Sequence, residues 1–385
     1  MNNTGTMIRF EMRKILRRKI TVLALAAVSL LMIAMNIGEY VAGTKIVNKE
    51  EQALVGRKID DALLGEMRQA VEPKAATMDD GTQVIVGVGI KDAAYQPLMD
   101  YLTTIGGNMD KAYYMTETGL TTRFHGVIDE AMREQYLTDE EIEYWQTRRE
   151  SSPMPLTYGE IQNGWGDSVG IIYVVALLDL IVIAATLSGM FSDERQLRTD
   201  ALIFSSRNGK KRLVTAKLLA GAAVGLLETL VILAVCVITE FAISGFSGGE
   251  ASVQFFVGPT AMDMPVRKAF LIFAGLMLII GLLLSVFAMC LSQLTRSSTA
   301  VIAVMMGLWL VSMITLPYRM RFLSQVSSFL PVTFLGSWVF SDYRTVNLFG
   351  HLFTILQAAP VIYLLLTVLM CGAAEYSYGK YQVTK

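Results

Sequence analysis

Two histidines and three cysteines are all that the 385 residues contain, and neither type is placed for chemistry. Cys236, Cys290 and Cys371 each fall inside a long apolar run, so no disulfide staples the polar parts of the chain. His125 and His351 stand far apart, and no H-E-x-x-H or paired Cys/His spacing offers a metal site. No G-x-x-x-x-G-K-S/T run cradles nucleotide phosphates, and Gly87-Val88-Gly89 lacks the rest of a dinucleotide fingerprint. A serine nucleophile needs a base partner, and none is evident. These absences argue against catalytic residues, a metal or a cofactor in this chain. Charge is scarce too, at 17%. The basic clusters hug apolar runs instead of building a solvated patch, which excludes nucleic acid as a partner.

Apolar residues are abundant, at 53%, and they come in blocks. A spanning helix needs about 20 apolar residues to cross about 30 Å of hydrocarbon. Six blocks qualify or nearly so: 20–37, 169–191, 213–239, 269–291, 298–316 and 352–374. Buried helices of soluble proteins rarely run this long without charge. The expected fold class is an all-α polytopic membrane protein with six transmembrane helices.

Basic residues set the orientation. Arg9, Arg13, Lys14, Arg17, Arg18 and Lys19 precede the first span, and Arg195, Arg198, Arg207, Lys210, Lys211 and Arg212 follow the second. Both clusters lie inside if both termini are cytoplasmic. The basic start could also belong to a signal peptide, but its apolar run of about 18 residues exceeds the usual 7–15, and no clear small-x-small site follows. Residues 7–19 carry Ile8, Met12, Ile15 and Leu16 at helical spacing with basic residues opposite. That pattern predicts an amphipathic helix on anionic membrane lipid, within a cytoplasmic segment 1–19.

Residues 38–168 form one long segment on the other side. Twelve Lys and Arg stand there against 23 Asp and Glu, a balance of −11 in a chain whose total is −1. About 130 residues can bury a small core, so a mostly helical extracytoplasmic domain is expected. Residues 57–71 and 121–136 read as helices, Thr138–Glu141 as a capping box opening a helix to about Arg149, and Val84–Ile90 as one short strand. Gly106-Gly107 and Ser151-Ser152-Pro153 read as breaks. The acidity either solvates the domain or receives a basic peptide.

Two acids lie within spans. Asp179 and Glu228 sit at similar depth on consecutive antiparallel segments. An acid there costs at least about 2.5 kcal/mol on insertion scales and usually faces a bundle interior or water. The pair either lines a pathway or is held by hydrogen bonds between helices. Residues 317–351 are too apolar for a free loop and contain Pro317 and Pro331. They read as short helices dipping back into the outer leaflet. Pro360 predicts a kink in the last span.

Residues 192–212 join the second and third spans as a short, charged, helix-prone cytoplasmic loop. Glu194, Thr199, Ser205-Ser206-Arg207 and Lys217, together with the basic start FEMRKILRRK and the reentrant-like segment before span six, carry a resemblance. The chain resembles the membrane subunit of a type-2 ABC exporter, in the branch common in Gram-positive bacteria; Arg198 stands where that family usually has a glycine. The resemblance implies a multi-pass permease in a bacterial plasma membrane, paired with a second copy of itself or a related permease. Two ABC ATPase subunits would sit beneath and hold the ATP and magnesium. Glu194, Arg195, Arg198, Thr199, Arg207 and Lys217 would form the ATPase-coupling contact. The cargo would be an amphipathic peptide, lipid or drug. The alternatives are a membrane sensor binding a peptide with its outer domain, and an ion-coupled carrier using Asp179 and Glu228.

Overall fold

The computed structural model describes residues 3–42, 49–78, 82–196, 211–295, 297–314, 316–331 and 333–380. A short helix α1 (Asn3–Leu16) leads into α2 (Lys19–Val41). The break between them is Arg18, whose backbone is extended, while the Thr21 hydroxyl donates to the Ile15 carbonyl at 3.1 Å. After the inserted domain come α8 (Gly164–Leu187), α9 (Gly189–Gln196), α10 (Lys211–Ser244), α11 (Val266–Thr295), α12 (Ser298–Ser312) and α14 (Ile355–Lys380). Here α13 is the small helix Arg321–Ser328.

Among the described residues five helices are long and apolar enough to cross a membrane: α2, α8 running on into α9, α10, α11 and α14. The segment expected as the fifth span, 298–316, forms α12, a shorter apolar helix of 15 residues that covers about 22 Å at 1.5 Å per residue. The helix ends at Ser312, with Met313 as its C-cap, ahead of Pro317. Leu23, Leu30 and Leu31 on α2 and Val361, Leu365, Val368 and Leu369 on α14 are exposed. Apolar belts of that extent suit lipid, not water. The inner helices are α8 and α11, with Ile172, Val175, Leu180, Phe273, Ile280 and Leu284 buried. Helix α1 and the last turns of α14 lie at one end of the bundle. There Phe191 meets Tyr378 at 5.8 Å between ring centroids, and Thr215 donates to Glu375 at 2.8 Å.

The inserted domain occupies the opposite end. Its helices are α3 (Asp61–Ala70), α4 (Gln96–Gly106), α5 (Met109–Tyr113), α6 (Glu117–Glu134) and α7 (Asp139–Ser151). Side-chain oxygens of Asp60, Asn108 and Thr116 accept the first free N–H groups of α3, α5 and α6. Thr138 and Glu141 form the expected capping box. Gly107 ends α4 with φ of 81°, a left-handed conformation that glycine adopts without strain. Leu63, Met67, Leu98, Leu102, Leu120, Phe124 and Trp145 fill the core.

The domain is less purely helical than its sequence reads. The expected strand, β2 (Gln83–Ile90), pairs antiparallel with β1 (Val71–Thr77). The helix expected over 57–71 is shorter, because Val71 is already extended and Pro73 sits two residues on. Segment 317–354 also departs from expectation. It contains α13 and a 3-10 turn, Ser337–Ser341, but then forms a hairpin of β3 (Thr345–Leu348) and β4 (His351–Thr354). The last long helix therefore begins at Ile355, not at 352.

Candidate functional site

At the end of the bundle where α1 lies, α1, α9 and α10 meet in a buried charged knot. Lys217, one turn into the apolar part of α10, has no exposed side-chain surface. Its Nζ donates to the Met190 carbonyl at 3.0 Å and to Glu194 Oε1 at 2.6 Å. Glu11 Oε2 on α1 lies 3.8 Å away. Lys14 closes the square, with Nζ 3.1 Å from the same Glu194 oxygen and 3.9 Å from Glu11. Among the described residues two lysines and two carboxylates alternate, so their charges balance. An isolated ammonium at the Lys217 position would cost several kcal/mol in lost hydration, and the two carboxylates offset that. The Phe191 ring centroid stands 5.3 Å from the ammonium.

The backbone around the knot is also pinned. Ser188 interrupts α8 and α9. The Phe191 and Ser192 N–H groups donate to Ser292 Oγ on α11 at 3.0 and 3.1 Å. An added Cβ on Gly189 would sit 2.4 Å from an Asp193 carboxylate oxygen, so that side chain would have to shift. Asp193 in turn receives Arg18 at 3.1 Å. The amphipathic start is thus more than a lipid-facing anchor. Ile15 is fully buried and Glu11 nearly so, and α1 is tied by charge to Glu194 at the start of segment 192–212 and to Lys217 just beyond its end.

Of the residues expected to contact an ATPase, Glu194 and Lys217 are therefore brought together. Arg195 lies in the last turn of α9. Arg198, Thr199 and Arg207 lie outside the described residues. Glu11, Lys14, Asp193 and Ser292 were missed. The signal for the first two was present: an acid and a base three residues apart on the face that also carries Ile15.

The two intramembrane acids lie in a polar seam between α8, α10 and α11. Asp179 and Glu228 are 2% and 1% exposed, so both point into the chain's own bundle. Thr229 donates its hydroxyl to Asp179 Oδ2 at 2.8 Å and also contacts the Gly225 carbonyl at 3.0 Å. Glu228 lies beside Thr186 of α8. Asp179 Oδ1 has no hydrogen-bond partner among the described residues. The seam exists because α10 and α11 approach closely. A Cβ on Gly225 would fall 1.8 Å from Ser285 Oγ, one on Gly221 2.3 Å from Met289 Sδ, and one on Gly281 2.3 Å from Thr229 Oγ1. Gly221 and Gly225 form a G-x-x-x-G step, a packing signal legible in the sequence.

At the far end, the inserted domain is docked onto the 317–354 segment. Glu141 accepts from the Thr345 N–H at 2.8 Å, the Thr345 hydroxyl at 2.9 Å and Arg321 at 2.6 Å. Trp145 donates to the Tyr343 carbonyl at 2.5 Å, and Gln135 bridges the Ser341 carbonyl and the Tyr343 N–H. Burial pushes the Glu141 carboxyl up, but the bonds from Arg321, Thr138 and Thr345 outweigh it and hold the group below its ordinary value.

The family model described as ABC-2 family transporter protein matches residues 6–329, which takes in α1, the knot, the inserted domain and the polar seam. The chain belongs to the ABC-2 transporter family. It is a multi-pass membrane protein and a transport permease subunit, of the kind that works with an ABC ATPase subunit and is not itself catalytic. No curated protein and no solved structure matches the chain.

Proposed function

We propose that this chain is the permease of an ATP-driven exporter and that segment 192–212 is the lever its ATPase subunits push. In this reading both termini are cytoplasmic, the inserted domain is extracytoplasmic, and the chain pairs with a second copy or a related permease above an ATPase dimer. The observation that carries it is the Lys217–Glu194 contact at 2.6 Å, flanked by Glu11 and Lys14. It ties the two ends of the loop to each other and to the amphipathic helix. A force on the loop is then delivered to α8, α10 and α1 together, because breaking the knot would strand a buried charge. The ATPases would hold ATP and magnesium, and closing them would move this unit as a block.

The test uses the permease co-expressed with its ATPase. Arg207→Glu, in the loop, and Glu194→Lys, in the knot, should lower ATPase recovery on affinity purification or separate hydrolysis from transport. Normal assembly and normal stimulation of hydrolysis in both variants would refute the coupling role.

A further inference from the structure

A cavity of about 880 Å³ opens between the end of α7, the 261–264 loop and the facing sides of α11 and α14. Its two halves differ in chemistry. At the mouth stand Arg148, in the last turn of α7, and Lys268, in the first turn of α11. Below them Leu271, Ile272 and Ile279 of α11 face Leu356 and Pro360 of α14.

Among the described residues the mouth cations have no ion pair, unlike their chain neighbours. Arg149 is ion-paired with Asp129, and Arg267 with Glu250 at 2.5 Å. Neither Arg148 nor Lys268 has a carboxylate within ion-pair distance among the described residues. Arg148 instead lies over the Tyr144 ring, 4.4 Å from its centroid, which limits its motion. The one acid in the lining, Asp263, accepts from the Ser252 hydroxyl at 3.1 Å. The mouth thus carries a net positive charge.

Depth then selects the occupant. From Lys268 to Ile279 along α11 is eleven residues, about 16 Å. That is about half the 30 Å hydrocarbon thickness, one leaflet. A soluble anion would use the mouth and leave the apolar half empty, and a neutral lipid would leave both cations unanswered. We propose that this cavity binds a membrane lipid with an anionic headgroup, its phosphate between Arg148 and Lys268 and an acyl chain along α11 and α14. That this leaflet is the outer one rests on the orientation under the proposed function. The binding itself does not, and it is tested on the permease alone.

The full chain is purified in detergent and offered phosphatidylglycerol or phosphatidylcholine at equal mole fraction, with retained lipid counted by native mass spectrometry. Phosphatidylglycerol should be retained preferentially. Reversing both cations (Arg148→Glu with Lys268→Glu) should weaken that retention by roughly 25-fold or more, from the attraction per basic side chain near an anionic lipid surface. Ile272→Trp, which fills the apolar half and leaves the charges, should reduce retention of both lipids. It keeps the inference testable if the double reversal does not fold. Equal retention of the two lipids by the wild type would overturn the proposal. So would unchanged phosphatidylglycerol retention in either variant, or glycerol phosphate binding as tightly as the lipid.

Discussion

Lys217 and Glu194 meet 2.6 Å apart across the two ends of a loop, with the lysine fully buried. Removing one partner of such a pair is more damaging than removing both, because the survivor keeps its desolvation cost without its counter-charge. Lys217→Met should lower the stability of the purified permease by about 3–5 kcal/mol. Lys217→Met combined with Glu194→Gln should be less destabilised than the sum of the single changes. Thermal unfolding in detergent reads both. Strict additivity would mean that the contact is incidental.

Docking of the inserted domain should depend on pH through Glu141. Its folded value lies below the ordinary 4.5, so the stabilisation is present above pH 4.5 and is lost as the pH falls through the lower folded value. Trp145 reports the event, since it is buried and bonded to the Tyr343 carbonyl. With Trp165, Trp309 and Trp338 replaced by Phe, its emission should stay constant from pH 7 to 4.5 and shift red below that. In Glu141→Gln the acid-induced step should vanish. A step of the same size in the Gln variant would assign it to another group.

Close approach of α10 and α11 is set by glycine. Gly225→Ala should push the helices apart or displace the Ser285 hydroxyl, at about 1–3 kcal/mol for overpacking. Ser285→Gly should restore most of that loss in the double variant, since it removes the atom that the new Cβ meets at 1.8 Å. Failure of the second change to rescue the first would place the clash elsewhere.

What the sequence made legible was the part governed by local pattern. Long apolar runs, the Thr138 capping box and the break at Gly107 appear where composition and caps put them. What it hid depends on pairings across the chain. Nothing local to Val71–Thr77 says that it will find Gln83–Ile90, and Pro73 argues weakly at best for an edge strand. The β3–β4 hairpin replaces the start of a helix because Phe349 and Gly350 turn the chain with positive φ, and that turn is visible only in the backbone. The knot joins residues 11 and 14 to 194 and 217, so its charges looked like a positive-inside anchor and a loop. Asp179 and Glu228 stood out because charge is rare in spans, but Thr229, the partner of Asp179, is unremarkable in sequence.

Those two acids support the last prediction. Asp179 Oδ1 has no hydrogen-bond partner among the described residues, although both side chains are buried. A purely structural polar lock would satisfy its acceptors, as Thr229 does for Asp179 Oδ2 at 2.8 Å. Buried acids at bilayer depth are costly and usually mark a path for cargo or ions. The seam should therefore open to water during the transport cycle. With Cys236, Cys290 and Cys371 replaced by Ala, a cysteine at 179 or at 228 should react with a small membrane-impermeant thiosulfonate while the assembled complex turns over ATP. It should resist the reagent without nucleotide. Asp179→Asn and Glu228→Gln should then leave assembly and basal ATPase rates intact and lower only transport-coupled turnover. If neither cysteine reacts in either state, the seam is sealed. The two acids would then act only in packing α8, α10 and α11, and the Asn and Gln variants should couple normally.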